Sequence, residues 1–179
     1  EFRRVLFRSV CRAAGSPASH DGGAAEEDLL SAMAFWESRA GKTLFRVGSW
    51  PEGQAPYLGN LTNPDSLLGN VIFFQNPWPN SGDWGPEIAG KTIIHSEGST
   101  ISHAVIFLNE QTALCSGLCT GDGEWQKTSR RRLLAHELGH FLGFAHVNER
   151  HNIMYPEIES GGSLEEEEVD TSFLRRLVD

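Results

Sequence analysis

The sequence predicts one α+β domain, close to α/β in character, built on a single twisted and mostly parallel sheet. Three observations point that way. Leu29, Met33 and Trp36 recur at helical spacing in "EEDLLSAMAFWESRAG" (26–41). Short runs rich in β-branched and aromatic residues follow it. A second helical stretch, from Arg130 to about Leu142, comes after them. A chain of 179 residues can bury one real core, but is short for two.

In chain order, "EFRRVLFRS" (1–9) resembles a common sequencing-adapter oligonucleotide translated in one frame. It is read as a scar and set aside from the fold. The native N-terminus is then expected to be missing, and the lack of a signal peptide says nothing about secretion. Residues 10–25 are small, polar and Gly-rich, as in a flexible linker or propeptide remnant. The domain proper is expected over 26–179. Asp28 or the acidic pair before it opens the first helix, and Gly41 stops it. "KTLFRVGSW" (42–50), "NVIFF" (70–74), "GKTIIHS" (90–96) and "ISHAVIFLN" (101–109) read as strands, the last two joined by a turn at "EGST". Thr128 and Ser129 are N-cap candidates for the helix from Arg130. The basic run Arg130, Arg131, Arg132 reads as a solvated first turn. Ser163 is expected to cap a last helix whose acidic first turns, "EEEE", suit the positive end of its dipole.

The net charge of −9 excludes the basic footprint of a nucleic-acid binder. Apolar runs such as 104–108 are too short to span a bilayer. Cys115 and Cys119, in "CSGLC", form either a small loop disulfide or two free thiols. A metal role for that pair would need further ligands nearby, and none is present.

The functional signal lies in "LLAHELGHFLGFAHVNERHNIMYP" (133–156). His136 and His140 are four apart on a helix, so both imidazoles leave one face and can chelate one ion. Glu137 sits beside the first of them, able to act on a water without being a ligand. Gly143 can take the left-handed conformation that ends the helix, letting the chain return so that His146 completes a three-histidine set. A catalytic zinc requires three protein ligands and a fourth position left open to water. A buried amphipathic helix with satisfied histidines is the plainer alternative. It would have to place Glu137 among Leu134, Leu138 and Phe141 without a cation, which is costly.

The extended motif, with the methionine of "NIMYP" downstream, resembles the metzincin zinc metallopeptidases. Tyr155 and Pro156 after Met154 are most similar to the matrixins, the family of the matrix metalloproteinases and their bacterial relatives. "AMAFWESRAGKTLFRV" resembles that family's opening helix and first strand, and "TIIHSEG" with "ISHAVIFLN" its edge strand and neighbour. The resemblance implies a metzincin catalytic domain with one antiparallel edge strand, an active-site helix, a Met-turn and a C-terminal helix. It implies His136, His140 and His146 as ligands to one catalytic Zn2+, and Glu137 as the general base that activates the zinc-held water. Met154 would be a packing floor. Tyr155, Pro156 and Ile158 would wall the main specificity pocket, and the strand through Thr92, Ile93, Ile94 and His95 would pair with an extended peptide or protein substrate. The implied protein is a secreted, extracellular monomeric endopeptidase with no nucleic-acid partner.

This sequence departs from the family at Val147, where Ser or Thr is usual. It also lacks the H-x-D pair of a second, structural zinc, so only one zinc is expected, although His95 falls near a ligand position. Structural Ca2+ is unsupported; Gly121 to Glu124 ("GDGE") is the stretch where it could sit. Cys11 lacks the motif of the matrixin pro-segment cysteine. His20, His95, His103 and His151 read as surface or locally satisfied histidines, and Asn60 in "NLT" matches a glycosylation acceptor. An inactive metzincin-like module binding peptide or partner through the same groove is the competing reading; the intact Glu137 argues against it. A purely structural zinc is a third, opposed by the open fourth position.

Overall fold

The structure, a computed structural model, describes residues 5–12, 22–48, 70–75, 77–79, 82–98, 100–117, 119, 127–158 and 164–178. Residues 121–124, Asn60, His20 and Ser163, to which the sequence reading attached a site or a cap, lie outside them. The chain divides into a sheet unit, within Val5–His20 and Arg46–Thr112, and a helical unit, within Asp21–Phe45 and Ala113–Asp179.

The sheet unit is built on a five-stranded mixed sheet of order β2-β1-β3-β5-β4. Its strands are β1 (Val5–Arg12), β2 (Phe45–Gly48), β3 (Asn70–Gln75), β4 (Gly90–Glu97) and β5 (Thr100–Asn109). β1 pairs parallel with β3, and β3 with β5; β4 runs antiparallel to β5 as the outermost strand of the order. β1 is a strand not expected from the sequence, and it overlaps residues 1–9, read as a scar. From Asn70 to Phe74 every residue of β3 is buried, the continuous apolar run expected of a strand covered on both faces. Val71, Phe73, Trp78, Val105 and Phe107 form a core cluster, with Phe73 and Phe107 stacked at 5.4 Å between centroids. Asn70, the polar member, accepts a hydrogen bond from the Ala104 N–H at 2.9 Å.

The helical unit holds α1 (Gly22–Ala40), α2 (Arg130–Phe141) and α3 (Thr171–Val178), with a short parallel pair β6 (Leu114–Cys115) and β7 (Thr128–Ser129). α1 starts before the expected Asp28 and ends as predicted, Gly41 taking φ +68°. Its buried face carries Leu29, Met33 and Trp36. The Trp36 indole donates to the Ala135 carbonyl of α2 at 2.8 Å, tying the two helices through a buried polar contact.

Two expectations need correction. The arginine run at the start of α2 is not solvated. Asp28, 1 % exposed, accepts from Arg130 Nε at 2.9 Å, lies 3.5 Å from Arg131 Nε, and accepts from the Gly117 N–H at 3.0 Å. Arg132 is buried and paired with Glu167. Charges this deep must be paired, so sequence-local reasoning misplaced them. The acidic run also does not open the last helix. Leu164–Glu166 makes a 3-10 turn, and Glu168 spends its backbone on a bridge to Asn152. α3 begins only at Thr171, where the Asp170 carboxylate accepts from the Ser172 and Phe173 N–H groups at 2.9 and 3.1 Å.

Candidate metal centre

α2 begins at Ser129, whose hydroxyl accepts from the Arg132 N–H in an N-cap, and it buries one apolar side through Leu133, Leu134, Leu138 and Phe141. His136 and His140 leave the helix one turn apart. Gly143 then takes φ +93°, while the Gly143 and Phe144 N–H groups bond back to the His140 and Gly139 carbonyls at 2.9 and 3.0 Å. This glycine turn reverses the chain and delivers His146.

The three imidazoles converge. Nε2 of His140 lies 3.1 Å from Nε2 of both His136 and His146, and the latter two are 3.2 Å apart. Among the described residues, this is the one group of three or more His, Cys, Asp or Glu placed to hold an ion. Nitrogens on a tetrahedron with bonds of about 2.0–2.1 Å would sit about 3.3 Å apart. The other ring nitrogens decide the chemistry. His136 Nδ1 meets the Ile153 carbonyl at 2.7 Å, and His140 Nδ1 the Phe144 carbonyl at 2.9 Å. A carbonyl only accepts, so each Nδ1 carries the proton and each Nε2 presents a lone pair. Two lone pairs facing at 3.1 Å repel unless a cation lies between them. Burial works against a proton in that role. It lowers the His136 pKa to about 4, aided by the charges of His140 and His146 and opposed by the Ile153 carbonyl. His140 is lowered too, first by burial and then by His146, with the Phe144 carbonyl opposing. Neutral imidazoles converging through Nε2 fit a metal ion, with carbonyls orienting the rings from behind. Glu137, next along the helix, is 3 % exposed.

Met154 is buried, its turn closed by Met154 N–H to Asn152 Oδ1 at 2.9 Å and Tyr155 N–H to the Asn152 carbonyl at 2.9 Å. The Met154 carbonyl accepts from the Val147 N–H at 3.1 Å, so this turn, at the position expected for the Met-turn, also holds the residue after His146. Gly139 makes this approach feasible. A Cβ there would run into Met154 Sδ and come within 2.8 Å of Trp36 Cζ2. Behind His140, Phe144 packs between Trp36 and Phe173, at centroid distances of 4.9 and 4.6 Å. Trp36, Phe144 and the 164–168 segment support the site without any local sequence signal that marks them. Only the Gly at 139, inside a helix, was a visible signal, since a helical glycine must have a packing reason.

Tyr155 and Ile158 are half-buried and line a shallow recess with Arg132, Arg150, Glu157 and Glu167; Pro156 is exposed and not in its wall. Thr92, Ile93, Ile94 and His95 lie on β4 opposite Ile106, Val105, Ala104 and His103. Ile94 is exposed, and His95 stacks on His103 at 4.4 Å. Cys115 and Cys119 are joined, with Cα atoms 5.5 Å apart, and His151 is exposed. No described helix is long and apolar enough to cross a membrane.

No curated protein matches the chain. The family model described as Matrixin matches residues 60–177, from before β3 into α3, leaving β1, α1 and β2 outside the matched span. Matrixins are zinc metallopeptidases acting on peptide substrates, and a three-histidine group is consistent with that metal. With well over half its length matched, and with the histidine cluster inside that span, this chain belongs to the Matrixin family.

Proposed function

We propose that the chain is a zinc-dependent endopeptidase in which His136, His140 and His146 hold the ion and Glu137 is the general base. The observation that carries this reading is the convergence of three Nε2 atoms within 3.2 Å, two of them fixed as lone-pair donors from behind. Zinc supplies a Lewis acid that polarises a peptide carbonyl and makes water acidic enough to lose a proton near neutral pH. The Glu137 carboxylate takes that proton as the water attacks, then delivers it to the departing amide nitrogen. Its burial on the metal helix keeps competing solvent from that proton.

Substrate would be held in extended form. β4 stands at one end of the strand order, and a peptide would add as a further strand along the stretch through Thr92, Ile93, Ile94 and His95. Tyr155, Pro156 and Ile158 would select the side chain beyond the cut bond. The enzyme would work as a secreted monomer with one zinc.

The test uses the full chain. Zinc content is measured, and a mixed peptide library is assayed against a Glu137→Ala variant. One zinc per chain, with cleavage abolished in the variant and metal retained, is the expected result. A folded chain that holds zinc but cuts nothing in either form would point instead to a peptide-binding module and end this reading.

A further inference from the structure

The acidic segment before α3 has no part in the reaction just described, yet its hydrogen bonds run to the metal centre. The Glu168 N–H donates to the His151 carbonyl at 2.8 Å, and the Glu168 carbonyl accepts from the Ile153 N–H at 3.0 Å. These two bonds bracket Asn152, whose side chain closes the Met-turn. Ile153 is also the residue whose carbonyl lies 2.7 Å from His136 Nδ1. The residue whose carbonyl faces His136 is therefore bonded through its own N–H to Glu168, and the N–H of the next residue, Met154, to Asn152.

The neighbouring residue locks this segment in place. Glu167 is 8 % exposed, in a run whose neighbours Glu166 and Glu168 face solvent. Its carboxylate pairs with Arg132, one helical turn before His136 on α2. Its carbonyl accepts from Arg39 Nη2 of α1 at 2.8 Å. Leu164, buried at the other end of the segment, anchors it by apolar packing. The strap is thus fixed to the same helix that presents two of the three histidines, and it holds the Met-turn at a set distance from that helix.

We propose that the strap Leu164–Glu168, locked by the Glu167–Arg132 pair, is a positioning element that aims the Ile153 carbonyl at His136 and so sets the metal affinity of the site. The inference rests on His136 being a metal ligand. An ion pair placed only for stability would have no reason to be coupled to the metal. A pair acting through Ile153 would be, because a ligand ring whose rear hydrogen bond is loosened binds metal more weakly.

The experiment measures zinc affinity of the full chain by competition with a chromophoric chelator, alongside the visible spectrum of the cobalt-substituted protein. Circular dichroism confirms the fold of each variant. Glu167→Gln is expected to weaken zinc binding by roughly 10- to 100-fold and to shift the cobalt bands, the range usual for partners behind a metal ligand. Glu167→Asp should recover part of the loss. Glu168→Pro, which deletes one N–H at an exposed position, should show the same weakening even if Glu167→Gln does not fold. Asp28→Asn is the control: it disturbs the other buried pair of α2 and should leave affinity and spectrum unchanged. An unaltered chain that takes up no zinc overturns this inference and the peptidase reading together. A zinc-binding chain whose folded Glu168→Pro variant keeps its affinity and spectrum overturns this inference alone, as would an equal loss in Asp28→Asn.

Discussion

Strand β3 and helix α2 are both buried along nearly their whole length, but with opposite chemistry. β3 buries Val71, Ile72, Phe73 and Phe74 in succession, with Asn70 at its end as the one buried polar member. α2 buries Arg132, His136 and Glu137 among its leucines. Apolar side chains stabilise by leaving water, whatever covers them. Buried polar groups must each find a named partner, and α2 recruits its own from far along the chain. Arg132 reaches Glu167, His136 reaches Ile153, and Asp28 bridges back to Arg130. The strand is robust because its neighbours are interchangeable. The helix is specific because its neighbours are not, and a metal site needs that specificity.

The sharpest way to separate the two regions is to remove a polar group proposed to serve chemistry and not folding. Glu137→Gln should lower peptide hydrolysis by about 10²- to 10⁴-fold, the usual worth of a positioned general base, while the thermal melt holds or rises. Stopped-time assays and calorimetry on the same sample check it; a matching fall in melting temperature would make Glu137 structural. Next comes a polar group that serves folding. Asp28→Ala strands Arg130 and Arg131 without their buried carboxylate and should cost about 3–5 kcal/mol in denaturant unfolding. A loss below about 1 kcal/mol would class the pair with exposed ones and blunt the contrast.

Gly139→Ala tests the packing of α2 on the Met-turn. Met154 can swing its sulfur away, but Trp36 is held by its indole bond to Ala135, so a cost of about 1–3 kcal/mol is expected. An unchanged melting temperature would mean that the helix has room there. The smallest effect belongs to the sheet. Ile106→Val removes one methylene from a fully buried side chain of β5 and should cost about 0.5–1.5 kcal/mol, with an unchanged denaturant slope. A larger loss would show that the sheet is as unforgiving as the helix.

Legibility in the sequence follows the same division. The strands at 70–75, 90–97 and 100–109 were readable because their signal is local: apolar runs bounded by turn residues. The histidines were readable because a four-residue helical spacing and a glycine stop are also local. The arginine run was misread because its partner Asp28 lies 102 residues before Arg130, and an unpaired reading sends charge to solvent. The last helix was drawn too early for a related reason. Four glutamates suit a helix N-terminus, but Glu167 and Glu168 are held in other bonds, and the Asp170 carboxylate supplies the cap instead.

The sequence by itself determined the α+β composition, the family, and the three histidines that converge. These follow from residue type and short spacing, which survive without coordinates. Only the tertiary structure decided which nitrogen of His136 and His140 faces inward, what Gly139 makes room for, and why the acidic segment is bent into a strap. Those outcomes depend on partners from 4 to 128 residues away. Over the longer of those separations, chain position carries no information about distance, and only the folded chain brings donor to acceptor.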